Sequence, residues 1–189
     1  MRTDVSRLLF LDSTAARLLV GLFIASNVIF TAATADVLAN VWPSWLAVLM
    51  VSLAGIVLVR PHPDPLPVRD TVAIIAVVVV STMLVSISLP DAGDLGRASW
   101  HLGSNTWLLF FLALRRRAWF AWLGMVLMLG VTVDWAVRSG RGAAAGVSLV
   151  DTHMGILLVA TLFAMILRAT AARIDALNER SVASAADAA

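Results

Sequence analysis

The sequence of 189 residues contains no cysteine, no tyrosine and no lysine. Without cysteine, disulfide bridges and thiolate metal sites are excluded. Charged residues make up only 14% of the chain, whereas soluble domains carry about a quarter. The formal net charge is +2, too small to steer the protein to nucleic acid. These absences exclude a disulfide-rich secreted domain and a nucleic-acid-binding protein. Arginine as the sole basic residue is typical of a GC-rich bacterial genome.

Apolar residues dominate instead, at 60% of the chain, and predict a membrane protein. A bilayer core ~30 Å thick needs roughly 20 apolar residues per helix. Segments of about that length lie at residues 18–34, 42–59, 71–89, 98–114, 118–137 and 147–167. The prediction is an all-α, polytopic fold: a six-helix transmembrane domain over residues 1–167 and a cytoplasmic helical tail over 168–189. The fourth segment has a polar first half, and it is included because without it the following arginines would lie on the outer side.

The arginines predict the orientation of these six spans. Eleven of them fall in the two termini and in alternate connections, and three fall on the opposite side. Arginine-rich loops stay in the cytoplasm, so both termini are expected to be cytoplasmic. The expected location is the inner (plasma) membrane of a bacterium. The chain is expected to cross this lipid bilayer several times. The opposite side carries Arg97, Arg138 and Arg141.

The first span could alternatively be a cleaved signal peptide. The stretch "TAATAD" at residues 31–36 contains Ala33 and Ala35 in the small-residue spacing of a signal-peptidase site. The apolar run is 17 residues long, longer than a usual signal core. An uncleaved anchor is therefore the favoured interpretation.

The spans carry no charged residue or histidine near their predicted midpoints. Such residues usually mark ion coupling or proton relay, so their absence counts against a pump. A small transporter or channel remains the alternative to the function favoured below.

Polar side chains collect near the predicted outer ends of the spans, where they could line a shallow ligand pocket. Histidine would make such a pocket respond to pH. The competing interpretation is interfacial solvation of polar helix ends. No spacing here matches a dedicated zinc motif, so neither a metal nor a cofactor is expected. The candidate ligand-binding residues are Trp100, His101, Asn105, Asp134, Asp151 and His153.

Ser104 in "HLGSN" and His153 in "DTHMG" lie near the outer ends of the predicted fourth and sixth spans. This arrangement resembles the rhomboid intramembrane proteases, in which a serine on the fourth span is activated by a histidine on the sixth. The residues flanking Ser104 depart from the Gly-x-Ser-Gly motif of that family. The second span also lacks a histidine or asparagine to stabilise an oxyanion. No complete catalytic motif is present, so an enzyme is not expected and no catalytic residue is assigned.

After the last span the pattern "LRATAARIDALNER" continues as a charged helix without glycine or proline. Leu167, Ile174 and Leu177 occupy heptad-like positions and could form a dimer seam. In layout and composition the chain resembles the membrane region of actinobacterial sensor histidine kinases and related ATP-binding membrane proteins, without their catalytic domains. The resemblance implies a sensory input module that signals through its last helix to a cytoplasmic kinase or regulator, as a homodimer. A merely solvated tail helix is the alternative.

Overall fold

The structure, a computed structural model, describes residues 14–60, 65–91 and 93–187. Within these residues it contains six α-helices and no β-strand, which confirms the predicted all-α class. Arg2 and Arg7, which contributed to the predicted orientation, lie outside the described residues. The helices are α1 Thr14–Ala33, α2 Trp42–Val59, α3 Val68–Ser86, α4 Trp100–Leu112, α5 Ala118–Arg138 and α6 Ala143–Asp187.

Among the described residues, five helical stretches are long and apolar enough to cross a membrane. One of them, Gly96–Arg138, is 43 residues long and contains both α4 and α5. The backbone reverses inside it, because Arg115 and Arg116 leave the helical conformation and Arg116 has a φ of 61°. A Cβ added to Gly124 would lie 2.6 Å from Cδ2 of Leu109, so the helices before and after this reversal pack against each other. The stretch is therefore a tight helical hairpin.

The loops gather at two opposite ends of the bundle, the first of which we call the Arg97 end. There the backbone N–H of Ala39, between α1 and α2, donates to the carbonyl of Ser88 at 2.9 Å. Arg141, between α5 and α6, donates to the carbonyl of Pro90 at 3.0 Å. Hydrogen bonds thus join three separate connections at this end.

At the opposite end, which we call the Arg115 end, an arginine closes the last turn of α2. The Arg115 side chain is 1% exposed and donates to the carbonyls of Leu58 and Arg60 at 3.1 and 3.3 Å. Carbonyls at a helix C-terminus lack partners within the helix, and a cation there is favourable. Arg117 likewise donates to the carbonyl of Leu66 at 2.8 Å. These arginines hold the loops at this end together.

Helix α4 lies at the centre of the bundle and packs against the other five helices. Its polar first half is buried within the protein: Ser104, Asn105 and Thr106 are 6%, 0% and 1% exposed. This burial explains why the segment is less apolar than its neighbours. Side chains of a central helix meet other helices, whereas those of a peripheral helix meet lipid.

Helix α6 is the longest element, at 45 residues. It begins four residues before the predicted sixth span and continues through most of the predicted helical tail, to Asp187. Among the residues whose burial is described, its buried apolar side chains are Val150, Leu157, Ala160, Ala164 and Ala171, which form one stripe at heptad-like spacing. Near its start, a Cβ on Gly146 would lie 2.7 Å from the Cα of Val133, so the absence of a side chain lets α6 approach the backbone of α5.

Candidate ligand cavity

A cavity of about 720 Å³ lies between α1, α2 and α4, and one residue of α6 reaches it. This volume falls within the range of roughly 300–1,000 Å³ that is usual for small-molecule sites. Most of its wall is aliphatic or aromatic. The residues from α1 and α2 are Leu19, Val20, Leu22, Phe23, Ser26, Asn27, Phe30, Gly55, Leu58 and Val59. Those from α4, the short 3-10 turn before it and α6 are Gly96, Arg97, Ser99, Trp100, Gly103, Ser104, Trp107, Leu108, Phe111 and His153.

The polar part of the wall is centred on a hydrogen bond between α1 and α4. The Ser104 hydroxyl lies 2.5 Å from Oδ1 of Asn27 and 3.2 Å from the carbonyl of Trp100. Asn27 is only 2% exposed, and its Nδ2 has no hydrogen-bond partner among the described residues. The Nε1 of Trp100, a residue 8% exposed, is likewise without a described partner. Two buried nitrogen atoms of cavity-lining residues are thus without a hydrogen-bond partner among the described residues.

His153 reaches the cavity across a position where α4 has no side chain. A Cβ added to Gly103 would lie 3.9 Å from Cε1 of His153. Because Gly103 has no side chain, the imidazole ring of His153 can approach α4 closely at this position. Nδ1 of His153 has no hydrogen-bond partner in the described part of the chain.

His101 lies behind this wall and does not line the cavity. It is 1% exposed, and neither ring nitrogen has a hydrogen-bond partner within the described ranges. Its ring meets that of Trp100 edge-on, with centroids 6.2 Å apart. His101 is therefore a buried histidine that neighbours a cavity residue without lining the cavity itself.

Asn105 has a different environment from the other candidate residues on α4. Its Oδ1 accepts a hydrogen bond from the Ser81 hydroxyl at 3.0 Å. Its Nδ2 donates to the carbonyl of Val78 at 3.2 Å and to the hydroxyl of Thr82 at 2.9 Å. All three partners are on α3, and Asn105 does not line the cavity. Its described contacts are those of a residue that joins two helices.

The two candidate carboxylates lie on the surface, away from the cavity wall. Asp134 is exposed and pairs with Arg138 one helical turn later on α5, at 2.5 Å. Asp151 is exposed, and its Oδ1 accepts a hydrogen bond from the backbone N–H of Thr152. Of the six predicted ligand-binding residues, the structure therefore brings Trp100 and His153 to the cavity, with His101 behind them. Asn105, Asp134 and Asp151 lie elsewhere.

Three further residues on the wall were not assigned to a ligand site from the sequence. From the sequence, Ser104 is interpreted as a possible nucleophile and Arg97 as a marker of orientation, and Asn27 is not named as a candidate. For Asn27 and Arg97 the sequence contains a feature that could have pointed to the site. Asn27 is the only amide side chain in the first apolar segment, and Arg97 is one of three arginines on the predicted outer side.

The structure also bears on the serine and histidine that resemble a protease pair. Ser104 and His153 line the same cavity. The hydroxyl of Ser104, however, has Asn27 and Trp100 as its acceptors, and no hydrogen bond joins it to His153 in the described structure. In addition, no three His, Asp or Glu side chains of the described residues are grouped so that they could hold a metal ion.

Comparison with known proteins gives a family for most of the chain. Residues 13–167 match the family described as Domain of unknown function (DUF8320), so the chain belongs to that family. The match ends within α6, and the remainder of that helix extends beyond it. No curated protein matches the chain. No solved structure matches it either.

Proposed function

We propose that this DUF8320 protein is a sensory input module of the bacterial inner membrane, which binds a ligand in the cavity and passes the signal along α6. One observation carries the proposal. Helix α6 places His153 on the cavity wall and continues without a break to Asp187. From His153 to Asp187 it rises ~51 Å at 1.5 Å per residue, so it leads from the cavity to well beyond the opposite end of the bundle.

The proposed topology has six spans, with both termini in the cytoplasm. The 43-residue stretch supplies two of the spans, since the chain reverses at Arg116. Its first part, Gly96–Leu112, is ~26 Å long, close to the thickness of the hydrocarbon core. Nine of the twelve arginines in the described residues lie at the Arg115 end or on the tail, and three lie at the Arg97 end. This asymmetry supports a cytoplasmic Arg115 end and a periplasmic Arg97 end.

Contacts along α6 would carry a movement from the cavity to the cytoplasmic side. The Nε1 of Trp122 on α5 donates to the hydroxyl of Thr161 at 3.2 Å. About two turns further on, Arg168 donates to the carbonyl of Ala113, in the turn between α4 and α5, at 3.3 Å. Between these contacts the buried face of α6 is narrow. Alanines at 160 and 164 give it a small-residue seam on which a helix can shift or rotate.

The exposed part of α6 supports a protein partner at the cytoplasmic side. Ile174 and Leu177 are 39% and 63% exposed, and they continue the seam that begins at Leu167. Two such helices could pair through these residues in a homodimer, as in a parallel coiled coil. The recipient of the signal would be a cytoplasmic kinase or regulator, in line with the resemblance to sensor kinases.

Disulfide cross-linking in native membranes tests this proposal, because the chain has no cysteine of its own. Single cysteines are introduced at each position from 170 to 180. The expected result is a helical periodicity with maxima at Ile174 and Leu177. Filling the cavity with Gly103→Leu should change the ratio of these maxima, whereas Gly130→Leu, at an open position outside the cavity, should not. A flat cross-linking profile would exclude the dimer seam, and a profile unaffected by Gly103→Leu would exclude the relay.

A second candidate function is intramembrane proteolysis, for which one observation speaks: Ser104 and His153 share a cavity beside an exposed flank of the bundle. The expected result for a protease is cleavage of a model transmembrane substrate that is lost in Ser104→Ala. No cleavage, or equal cleavage by Ser104→Ala, would exclude it.

A further inference from the structure

The cavity is long and narrow in the direction of the helices. On α1 its wall extends from Leu19 to Phe30, and on the 3-10 turn and α4 it extends from Gly96 to Phe111. At about 1.5 Å per residue these stretches are ~16 and ~22 Å long, compared with a ~30 Å hydrocarbon core. The cavity is therefore elongated along the helices and longer than one leaflet of the core is deep.

One flank of the cavity is open to the side of the bundle. Leu19, Leu22 and Trp107 line it, yet they are 59%, 67% and 53% exposed. In a membrane these side chains would contact lipid tails. A molecule dissolved in the bilayer could thus enter between α1 and α4 without passing through water.

The polar and apolar parts of the wall are separated along its length. Arg97, Trp100 and Ser104 lie toward the Arg97 end, and His153 reaches the wall beside them. Deeper along α4 the wall continues with aromatic and aliphatic residues as far as Phe111. This division matches a molecule with one polar head and one apolar tail, lying parallel to the helices.

The chemistry of the polar end selects the head group. The Nε1 of Trp100 and the guanidinium of Arg97 can donate hydrogen bonds but cannot accept them. The Arg97 side chain makes no hydrogen bond or ion pair with the described residues, and Nε1 of Trp100 also has no described partner. The head group must therefore offer acceptors, and a negative charge would be favoured beside an arginine.

We propose that the cavity binds a single-chain amphiphile with an oxyanionic head, such as a fatty acid, which enters sideways from the bilayer through the flank lined by Leu19, Leu22 and Trp107. The head lies among Arg97, Trp100 and Asn27, and the chain extends toward Phe111. This proposal rests on the proposed function in one respect: it names the ligand class that the sensory module reads.

Photo-crosslinking in vesicles of phosphatidylcholine tests the ligand class and its direction. The probes are a fatty acid with a diazirine next to the carboxylate, its isomer with the diazirine at the chain end, and the fatty alcohol that corresponds to each. The first isomer is expected to label the segment 96–104, and the second to label residues near Leu19 and Phe111. Labelling of the same peptides by both isomers, or labelling spread over all lipid-facing helices, would overturn the proposal.

Matched variants test the site itself. Gly103→Leu should reduce labelling about tenfold by filling the cavity, while Gly130→Leu should leave it unchanged. Leu22→Trp provides a second block at the exposed mouth, where it does not disturb the core. Arg97→Gln should weaken labelling by the acid about tenfold and by the alcohol less than about twofold, and Arg138→Gln should change neither. Equal labelling by acid and alcohol in the unmodified protein would refute the oxyanionic head.

The tail cross-links separate this inference from the proposed function. If the acid labels the cavity but leaves the cross-links at Ile174 and Leu177 unchanged, the proposed ligand class is supported and the proposed relay along α6 is refuted. If Gly103→Leu changes the cross-links but no probe labels the cavity, the proposed relay is supported and this ligand class is refuted.

Discussion

Truncation of Asn105 should destabilise the bundle without acting through the ligand. The side chain is fully buried and makes three hydrogen bonds to α3. Hydrogen bonds between membrane helices average ~0.6 kcal/mol each, so Asn105→Ala should lower the free energy of unfolding by roughly 2 kcal/mol. The cost stays moderate because Ser81 and Thr82 also donate to the carbonyl of Val78 and keep that partner in the variant.

A double-mutant cycle with Ser81→Ala isolates one of these bonds. The coupling between Asn105 and Ser81 should be ~0.6 kcal/mol, measured as loss of helicity during SDS titration of mixed micelles. Ser148→Ala is the matched control, because Ser148 also donates to a carbonyl three residues earlier but is exposed. Zero coupling would refute the interhelical bond. Wild-type stability of Asn105→Ala combined with lost labelling by the fatty acid would return Asn105 to the ligand site.

Two further predictions concern the backbone and use the same titration. Gly146→Ala should cost about 1–3 kcal/mol, because its Cβ would press on the backbone of α5; Gly155→Ala, on the same helix with open space around it, should be neutral or stabilising by up to ~1 kcal/mol. Equal effects of the two would contradict the close approach. Arg116→Ile should cost about 1–2 kcal/mol, because φ at this position is positive and β-branched residues rarely adopt it, whereas Arg116→Gly should be tolerated. A well-tolerated isoleucine would place the reversal elsewhere.

Helix positions could be predicted where the bilayer alone sets the length. The second segment, predicted at 42–59, has the same bounds as α2, since both ends are marked by polar or proline-containing turns. Helix α6 begins at Ala143, four residues before the predicted span, because Ala143, Ala144 and Ala145 favour helix but add little hydropathy. Apolar composition therefore predicts the length of a membrane span. The helix itself can continue beyond the span where the flanking residues favour helix.

The candidate site was harder to predict, since α4 is surrounded by protein. His101 and Asn105 are four residues apart and were expected to share one face and one ligand. In the bundle, Asn105 is bonded to α3, whereas the adjacent Ser104 is bonded to α1. Periodicity tells which residues share a face, but the identity of the helix opposite that face depends on the tertiary packing.

A comparison of Asn27 with Asn105, both of which are buried, supports a polar cavity wall that is kept for a ligand. The same bundle satisfies both ends of the Asn105 amide, yet leaves Nδ2 of Asn27 without a described partner. An unsatisfied buried donor costs ~1–3 kcal/mol, a cost that a bound head group would offset.

Asn27→Leu should therefore raise the stability of the ligand-free protein while abolishing labelling by the fatty acid, a trade-off typical of binding sites. The hydroxyl of Ser104 keeps the carbonyl of Trp100 as acceptor in that variant. Asn105→Leu should do the opposite, lowering stability and sparing the site in the fraction that remains folded. If both substitutions destabilise equally, Asn27 is a structural residue like Asn105, and its free nitrogen does not mark a ligand.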